Sequence, residues 1–273
     1  MKYRLLCIDI DGTLLDDSKQ IPEQVIKAIQ RAAGLGLKVA LITGRMPAAT
    51  DFIAKELQIP CIYACNAGTY ILEDDKCISV QYMAADTMEE LYNVIKKYEI
   101  PLWIFRGRKW YVTGMDDFVK EEIELIHYVP EIEDAEMLAA KWRKEKTGPN
   151  KVLIGAMPET VQKIYAELKS INRQDIDMAC SSEYFLEIFP KGMNKGKALM
   201  LICEKEGIRR EETIAFGDQE LDIPMLEAAG IGVAMGNAIE ELKQKADFIT
   251  KTNNEAGIAY ALDYYLNQEE KTW

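Results

Sequence analysis

Two carboxylates stand two residues apart where an apolar run breaks: LLCIDIDGTLLDD carries Asp9 and Asp11 directly ahead of Gly12. Burial penalises a charged carboxylate unless it is paired or bound to a metal, so such a strand tip is a metal site, a nucleophile or a polar strand exit. Three further polar clusters follow apolar runs or flank turns: Thr43-Gly44-Arg45 after KVALI, Lys195 in FPKGMNKGKAL, and Asp218 with Asp222 in AFGDQELD. Carboxylates and other oxygens, without histidine or thiolate, suit a hard cation such as Mg²⁺. A lysine and a hydroxyl added to them make a pocket for a phosphoryl group. On residue type alone, Lys191 and Lys197 would serve as well as Lys195.

The elements that must position these residues alternate. Residues 5–10 read as a strand, 21–36 as a helix opened by proline and closed by glycine, 38–44 as a strand, 46–59 as a helix, and 61–71 as a strand and turn. Strand, helix, strand, helix is the pattern of a mainly parallel sheet with helical cover. From about Met83 the pattern changes. Helices at 87–100, 116–126, 135–150 and 158–171 are interleaved with a hairpin at 101–114, a strand at 151–157 and paired strands at 176–190. The alternation resumes with a helix from Asn194, and continues through TIAFGD, DIPMLEAA, GIGVAM, AIEELKQKA, DFIT and a terminal helix. The expected architecture is an α/β core of residues 1–82 and 190–273 with an α+β module inserted at 83–189. In an open α/β sheet the binding crevice lies beyond the carboxyl ends of the strands, so clusters distant in sequence can meet there.

The chain has 273 residues, 48% of them hydrophobic, and a formal charge of −12. That negative field, with no Lys/Arg stripe interleaved with aromatics, argues against nucleic acid as a partner. The N-terminus lacks the composition of a signal peptide and no stretch is apolar enough to span a membrane, so no membrane partner and a cytoplasmic location are expected. The six scattered cysteines read as reduced core or near-core residues. Cys61 and Cys65 have no second pair to complete a zinc site, and His127, the single histidine, reads as a structural or surface residue rather than a catalytic one.

Four motifs in order, DIDGTLLD, LITGR, FPKGMNKGKAL and AFGDQELDIPML, around an insert of this kind make the chain resemble the haloacid dehalogenase-like (HAD) phosphatase superfamily, and within it the Cof-type branch. The resemblance covers nearly the whole chain and implies a Rossmannoid α/β core with a parallel sheet plus an inserted α+β cap domain. Carried over, it assigns Asp9 as the nucleophile and Asp11 as general acid and then base. Gly12, Thr43, Gly44, Lys195 and Asn66 would hold phosphate, and Asp9, Asp11, Asp218 and Asp222 would surround Mg²⁺. Such a protein would hydrolyse small phosphorylated metabolites of the sugar phosphate, pyridoxal phosphate or FMN type through an aspartyl-phosphate, as a monomer or homodimer. Substrate choice would belong to the cap, with Arg45, Arg106, Arg108 and Glu183 as expected contacts.

Two departures bear on that assignment. The fourth motif of the family reads Gly-Asp-x-x-Asn-Asp, whereas Leu221 stands here at the asparagine position and cannot hydrogen-bond. Glu220 is the neighbour offered as a substitute. After the third strand the family has Asn-Gly-Ala, whereas here Asn66 is followed by Ala67-Gly68. Two other readings stay open: a phosphomutase of the same capped class, which would return the phosphoryl group, and a metabolite-binding protein with weakened catalysis, to which Leu221 points.

Overall fold

The computed structural model describes residues 2–270, so the outermost ends of the expected core lie outside the described residues. The chain forms two units: one takes in the chain up to Gly44, Asp51–Ser79 and the chain from Asn194 onward, the other Arg45–Thr50 and Val80–Met193. In chain order the elements begin with β1 (Leu5–Ile8), α1 (Glu23–Gly34), β2 (Lys38–Ile42), α2 (Asp51–Leu57), β3 (Ile62–Cys65), β4 (Tyr70–Glu73) and β5 (Lys76–Val80). The insert supplies α3 (Ala85–Ile95), β6 (Trp103–Arg106), β7 (Lys109–Val112), α4 (Asp117–Ile126), β8 (Glu131–Ile132), α5 (Ala135–Glu145), β9 (Lys151–Gly155), α6 (Pro158–Ile171), β10 (Ile176–Cys180) and β11 (Phe185–Pro190). The chain then adds α7 (Lys195–Glu206), β12 (Thr213–Gly217), α8 (Ile223–Ala228), β13 (Ile231–Ala234), α9 (Glu240–Lys245), β14 (Phe248–Ile249) and α10 (Gly257–Glu270).

In the first unit the strands form one sheet in the order β14-β13-β12-β1-β2-β3-β4-β5. From β14 to β3 all neighbours run parallel, and β4 turns back antiparallel to β3. A central parallel strand is covered on both faces, which is why β1 is the unbroken apolar run LLCI with every residue buried. The helices bury one stripe each. In α1 the buried residues Val25, Ala28, Ile29 and Ala32 recur at helical spacing. The chain leaves β1 toward β2 on one side, while β12 lies on the other. Strand order reverses about β1, which is where an open α/β sheet forms its crevice. No described helix is long and apolar enough to cross a membrane.

The second unit has its own sheet, β10-β11-β9-β6-β7-β8, antiparallel except between β7 and β8. One face carries Ile104, Tyr111, Val152, Ile154, Leu186 and Ile188, which pack with buried residues of α3, α5 and α6. The opposite face carries Trp103, Phe105, Trp110, Val112 and Leu153, with the Trp103 and Trp110 rings 5.0 Å apart. Met46 and Ala49 pack into that second cluster, so residues 45–50 group with the insert. A division at 82/83 read along the chain does not anticipate this.

Several expected elements shift. The first strand stops at Ile8; Asp9 lies just past it and the turn begins at Ile10. The helix expected at 46–59 is a 3₁₀ turn at Pro47–Thr50 followed by α2. All six cysteines are free thiols, but Cys77 on the edge strand β5 is exposed rather than near the core.

Candidate active site

β1 delivers Asp9 one residue past its end, where the Asp9 N–H donates to Phe216 O at 3.1 Å and keeps the chain in line with β12. The chain then curls, with the Leu14 N–H donating to Asp9 O and the Leu15 N–H to Ile10 O. Gly12 turns this corner at φ +79°, and a Cβ there would come within 2.4 Å of Asp218 Oδ2. Glycine is required twice over, by the backbone and by the carboxylate beside it.

Lys195 opens α7, whose N-cap Asn194 accepts from the Lys197 N–H. The ammonium is buried between two carboxylates, at 2.6 Å from Asp9 Oδ1 and 2.5 Å from Asp222 Oδ1. Asp222 accepts on its other oxygen from the N–H groups of Asp218 and Gln219, at 2.9 and 3.0 Å. Asp218 follows β12; its Oδ1 accepts from Thr13 Oγ1 at 2.7 Å and its Oδ2 from Gln219 Nε2 at 3.1 Å. Asp9 Oδ2 has no hydrogen-bond partner among the described residues.

One ligand atom from each of Asp9, Asp218 and Asp222 lies within 4.8 Å of the others, and all three residues are buried. Burial, reinforced by Asp222, pushes the Asp9 carboxyl well above its usual range despite Lys195. Burial also raises Asp218, to about 6, although the Thr13 hydroxyl opposes the shift. Burial alone would lower the Lys195 ammonium, but Asp222 and Asp9 reverse this and hold it firmly protonated. Three buried carboxylates against one ammonium leave the cluster short of positive charge. An all-oxygen donor set in that state fits a hard divalent cation.

Asp11 stands outside this triad. It is partly exposed and pairs with Lys19 at 3.2 Å. Thr43 and Asn66 meet at the ends of neighbouring strands, where the Thr43 N–H donates to Ala64 O and the Ala67 N–H to Thr43 O. Gly44 follows them and is partly buried. Asn66 and Ala67 both adopt left-handed φ, +51° and +58°, and the Asn66 amide is fully buried with neither polar atom hydrogen-bonded among the described residues. A Cβ on Gly68 would lie 2.5 Å from Ala198 Cβ, so this turn sits against the first turn of α7.

Arg45, Arg106, Arg108 and Glu183 belong to the second unit. Arg45 donates to Ala49 O, and Arg106 pairs with Glu145 while lying over the Tyr82 and Trp142 rings. Arg108 O accepts from the Tyr128 hydroxyl, and Glu183 is exposed in the turn between β10 and β11. Glu220 is exposed and makes no hydrogen bond to the cluster among the described residues. The amide that supports Asp218 belongs to Gln219. Neither Gln219 nor Thr13 stands out by type; their adjacency to Asp218 and Gly12 was the available signal.

Residues 6–262 match the sequence model of a family described as haloacid dehalogenase-like hydrolase. The chain is 31% identical to the 5-amino-6-(5-phospho-D-ribitylamino)uracil phosphatase YitU of Bacillus subtilis, over 97% of this chain and 98% of that one. A haloacid dehalogenase-like hydrolase from Bacteroides thetaiotaomicron has the same fold at a TM-score of 0.86 and 28% identity, covering 97% of this chain and 100% of the other. The HAD subclass IIB sugar phosphatase BT4131 superimposes at a TM-score of 0.84 and 28% identity, covering 96% and 99%.

Proposed function

The chain belongs to the haloacid dehalogenase-like hydrolase family, as a phosphatase of that type, and from that premise we propose a Mg²⁺-dependent phosphomonoesterase acting through a phosphorylated aspartate. The carrying observation is the buried Asp9–Lys195–Asp222 chain with Asp218 beside it, at the carboxyl ends of β1 and β12.

Asp9 is the nucleophile: Lys195 occupies Oδ1 and leaves Oδ2 to attack phosphorus. The new Asp9 O–P bond forms as the ester P–O bond breaks, and Asp11 gives its proton to the departing alkoxide. Asp11, now a carboxylate, takes a proton from water as that water attacks phosphorus. The Asp9 O–P bond then breaks and inorganic phosphate leaves. Asp9 and Asp218, with Asp222 close behind, would hold Mg²⁺, which supplies charge neutralisation between the nucleophile and the anionic ester. Lys195 and the Thr43 hydroxyl bind phosphoryl oxygens, and the unpartnered Asn66 amide offers a further donor.

The substrate class is a small phosphorylated metabolite with a hydroxylated carbon skeleton. YitU is named for a phosphoribityl compound and BT4131 for sugar phosphates, which supports this class. Phosphate release from a panel of phosphomonoesters, with and without Mg²⁺, tests the reading. Metal-dependent turnover that Asp9→Asn abolishes is expected; turnover that survives Asp9→Asn would overturn it.

A further inference from the structure

The segment that carries Asp11 is held from outside by asparagine side chains. Asn237 Nδ2 donates to Gly12 O at 2.8 Å, and Asn253 Nδ2 donates to Leu15 O at 3.0 Å. The two asparagines are themselves joined, because the Asn253 N–H donates to Asn237 Oδ1 at 2.9 Å. The result is a continuous bridge, Gly12–Asn237–Asn253–Leu15, closing the corner that begins directly after Asp11. Asn253 Nδ2 also reaches Asp17 Oδ1 at 3.2 Å. Asn254 exchanges hydrogen bonds with Asp17, giving Nδ2 to Oδ2 at 2.8 Å and accepting the Asp17 N–H at 3.1 Å.

Inside the corner, Ile10, Leu14 and Leu15 are fully buried. Asp11 by contrast is partly exposed, and its ion pair with Lys19 is solvent-accessible on both sides. An exposed ion pair orients a side chain weakly, whereas amide-to-carbonyl hydrogen bonds fix the backbone beneath it. Asn237 must accept and donate at once, which an amide can do and a carboxylate cannot.

We propose that Asn237 and Asn253 are positioning residues for the proton transfer by Asp11, acting through the carbonyls of Gly12 and Leu15. This rests on the reading of Asp11 as the general acid. A displacement near 1 Å is enough to slow such a transfer by one to two orders of magnitude.

The test exploits the leaving group. An alkyl phosphomonoester needs a proton on its departing oxygen, whereas p-nitrophenolate leaves without one. Single-turnover release of alcohol or p-nitrophenolate would be followed for the native protein, Asp11→Asn, Asn237→Ala and Asn253→Ala, with a thermal melt of each. Asn237→Ala and Asn253→Ala are expected to slow alkyl release by about tenfold and p-nitrophenolate release by less than about twofold, the same discrimination as Asp11→Asn in weaker form. If Asn253→Ala does not fold, Asn237→Ala, whose side chain is exposed, decides the outcome. If Asp11→Asn slows both esters alike, the general-acid reading fails and the proposal with it. If Asp11→Asn discriminates but the asparagine variants slow both esters equally, or neither, the positioning role is overturned and the acid stands.

Discussion

Thr13 donates its hydroxyl to Asp218 across 205 positions of the chain, Oγ1 to Oδ1 at 2.7 Å, and both side chains are buried. The bond ties the corner after β1 to the end of β12, and so sets the carboxylate that stands ready for a cation. Thr13→Val keeps the shape and removes the donor. Groups that orient a metal-binding carboxylate are worth about tenfold or more in affinity, so the half-saturating Mg²⁺ concentration should rise by about tenfold. Metal titration by calorimetry checks this, and an unchanged affinity would assign Thr13 a packing role alone.

Among the described residues, Lys195 is the one ammonium shared by Asp9 and Asp222. Lys195→Met leaves two buried carboxylates facing each other without a counter-charge. Removing one partner of a buried ion pair costs about 3–5 kcal/mol, so the metal-free variant should melt well below the native protein. The loss should shrink at pH 5, where a carboxylate can take up a proton. Denaturation at pH 5 and pH 7.5 reads both expectations.

Asp175 accepts from Arg173 through Nε at 2.8 Å and from Thr87 Oγ1 at 2.6 Å. The Arg173 hydrogen bonds hold its carboxyl down to about 2. A depressed carboxyl stabilises the fold fully above its unfolded pKa of about 4, and the contribution fades as pH falls through about 2. Melting temperatures of the native protein and Asp175→Asn should therefore differ at pH 7, converge below pH 4 and coincide only below about pH 2. A gap independent of pH would show that the charge on Asp175 is not what stabilises.

The thiols should divide sharply. Burial pushes Cys61 up to about 12 and Cys203 up to about 11, while Cys77 is exposed on β5. A thiolate reagent at pH 8 should label Cys77 quickly, the half-buried Cys180 more slowly and the buried thiols hardly at all in the folded protein. Cys77→Ser should remove the fast phase, and a fast phase that persists would contradict the assignment.

The core pattern was readable because central parallel strands are apolar without interruption and their helices are striped, as LLCI and the α1 stripe illustrate. The second arm of the β4–β5 hairpin was not. Its turn uses Asp74 and Asp75, both at positive φ, where asparagine–glycine would have announced a hairpin, and its strand alternates poorly because it lies at the sheet edge. Lys191, Lys195 and Lys197 are alike as letters. Only packing separates them: Lys191 is exposed and pairs with Asp177, Lys197 is exposed, and Lys195 is enclosed by carboxylates. Gln219 escaped notice for a related reason. Its backbone N–H reaches Asp222 while its side-chain amide turns back to Asp218, an arrangement of local dihedrals that no pattern of residue types encodes.

The order of strands in the first unit also sets an order of events during synthesis. β1 finds β2 within about forty residues, but its other neighbour, β12, begins at Thr213. At roughly 5–20 residues per second, the ribosome needs on the order of ten seconds or more to make the chain between them. Throughout that interval Asp9 is an unpaired carboxylate at the edge of an unfinished sheet, awaiting Lys195 and then Asp218. The second unit's strands, from Trp103 to Pro190, are complete before either arrives. A nascent chain halted before residue 195 would thus hold a finished insert and half a core, with the wholly apolar strand β1 open on one flank.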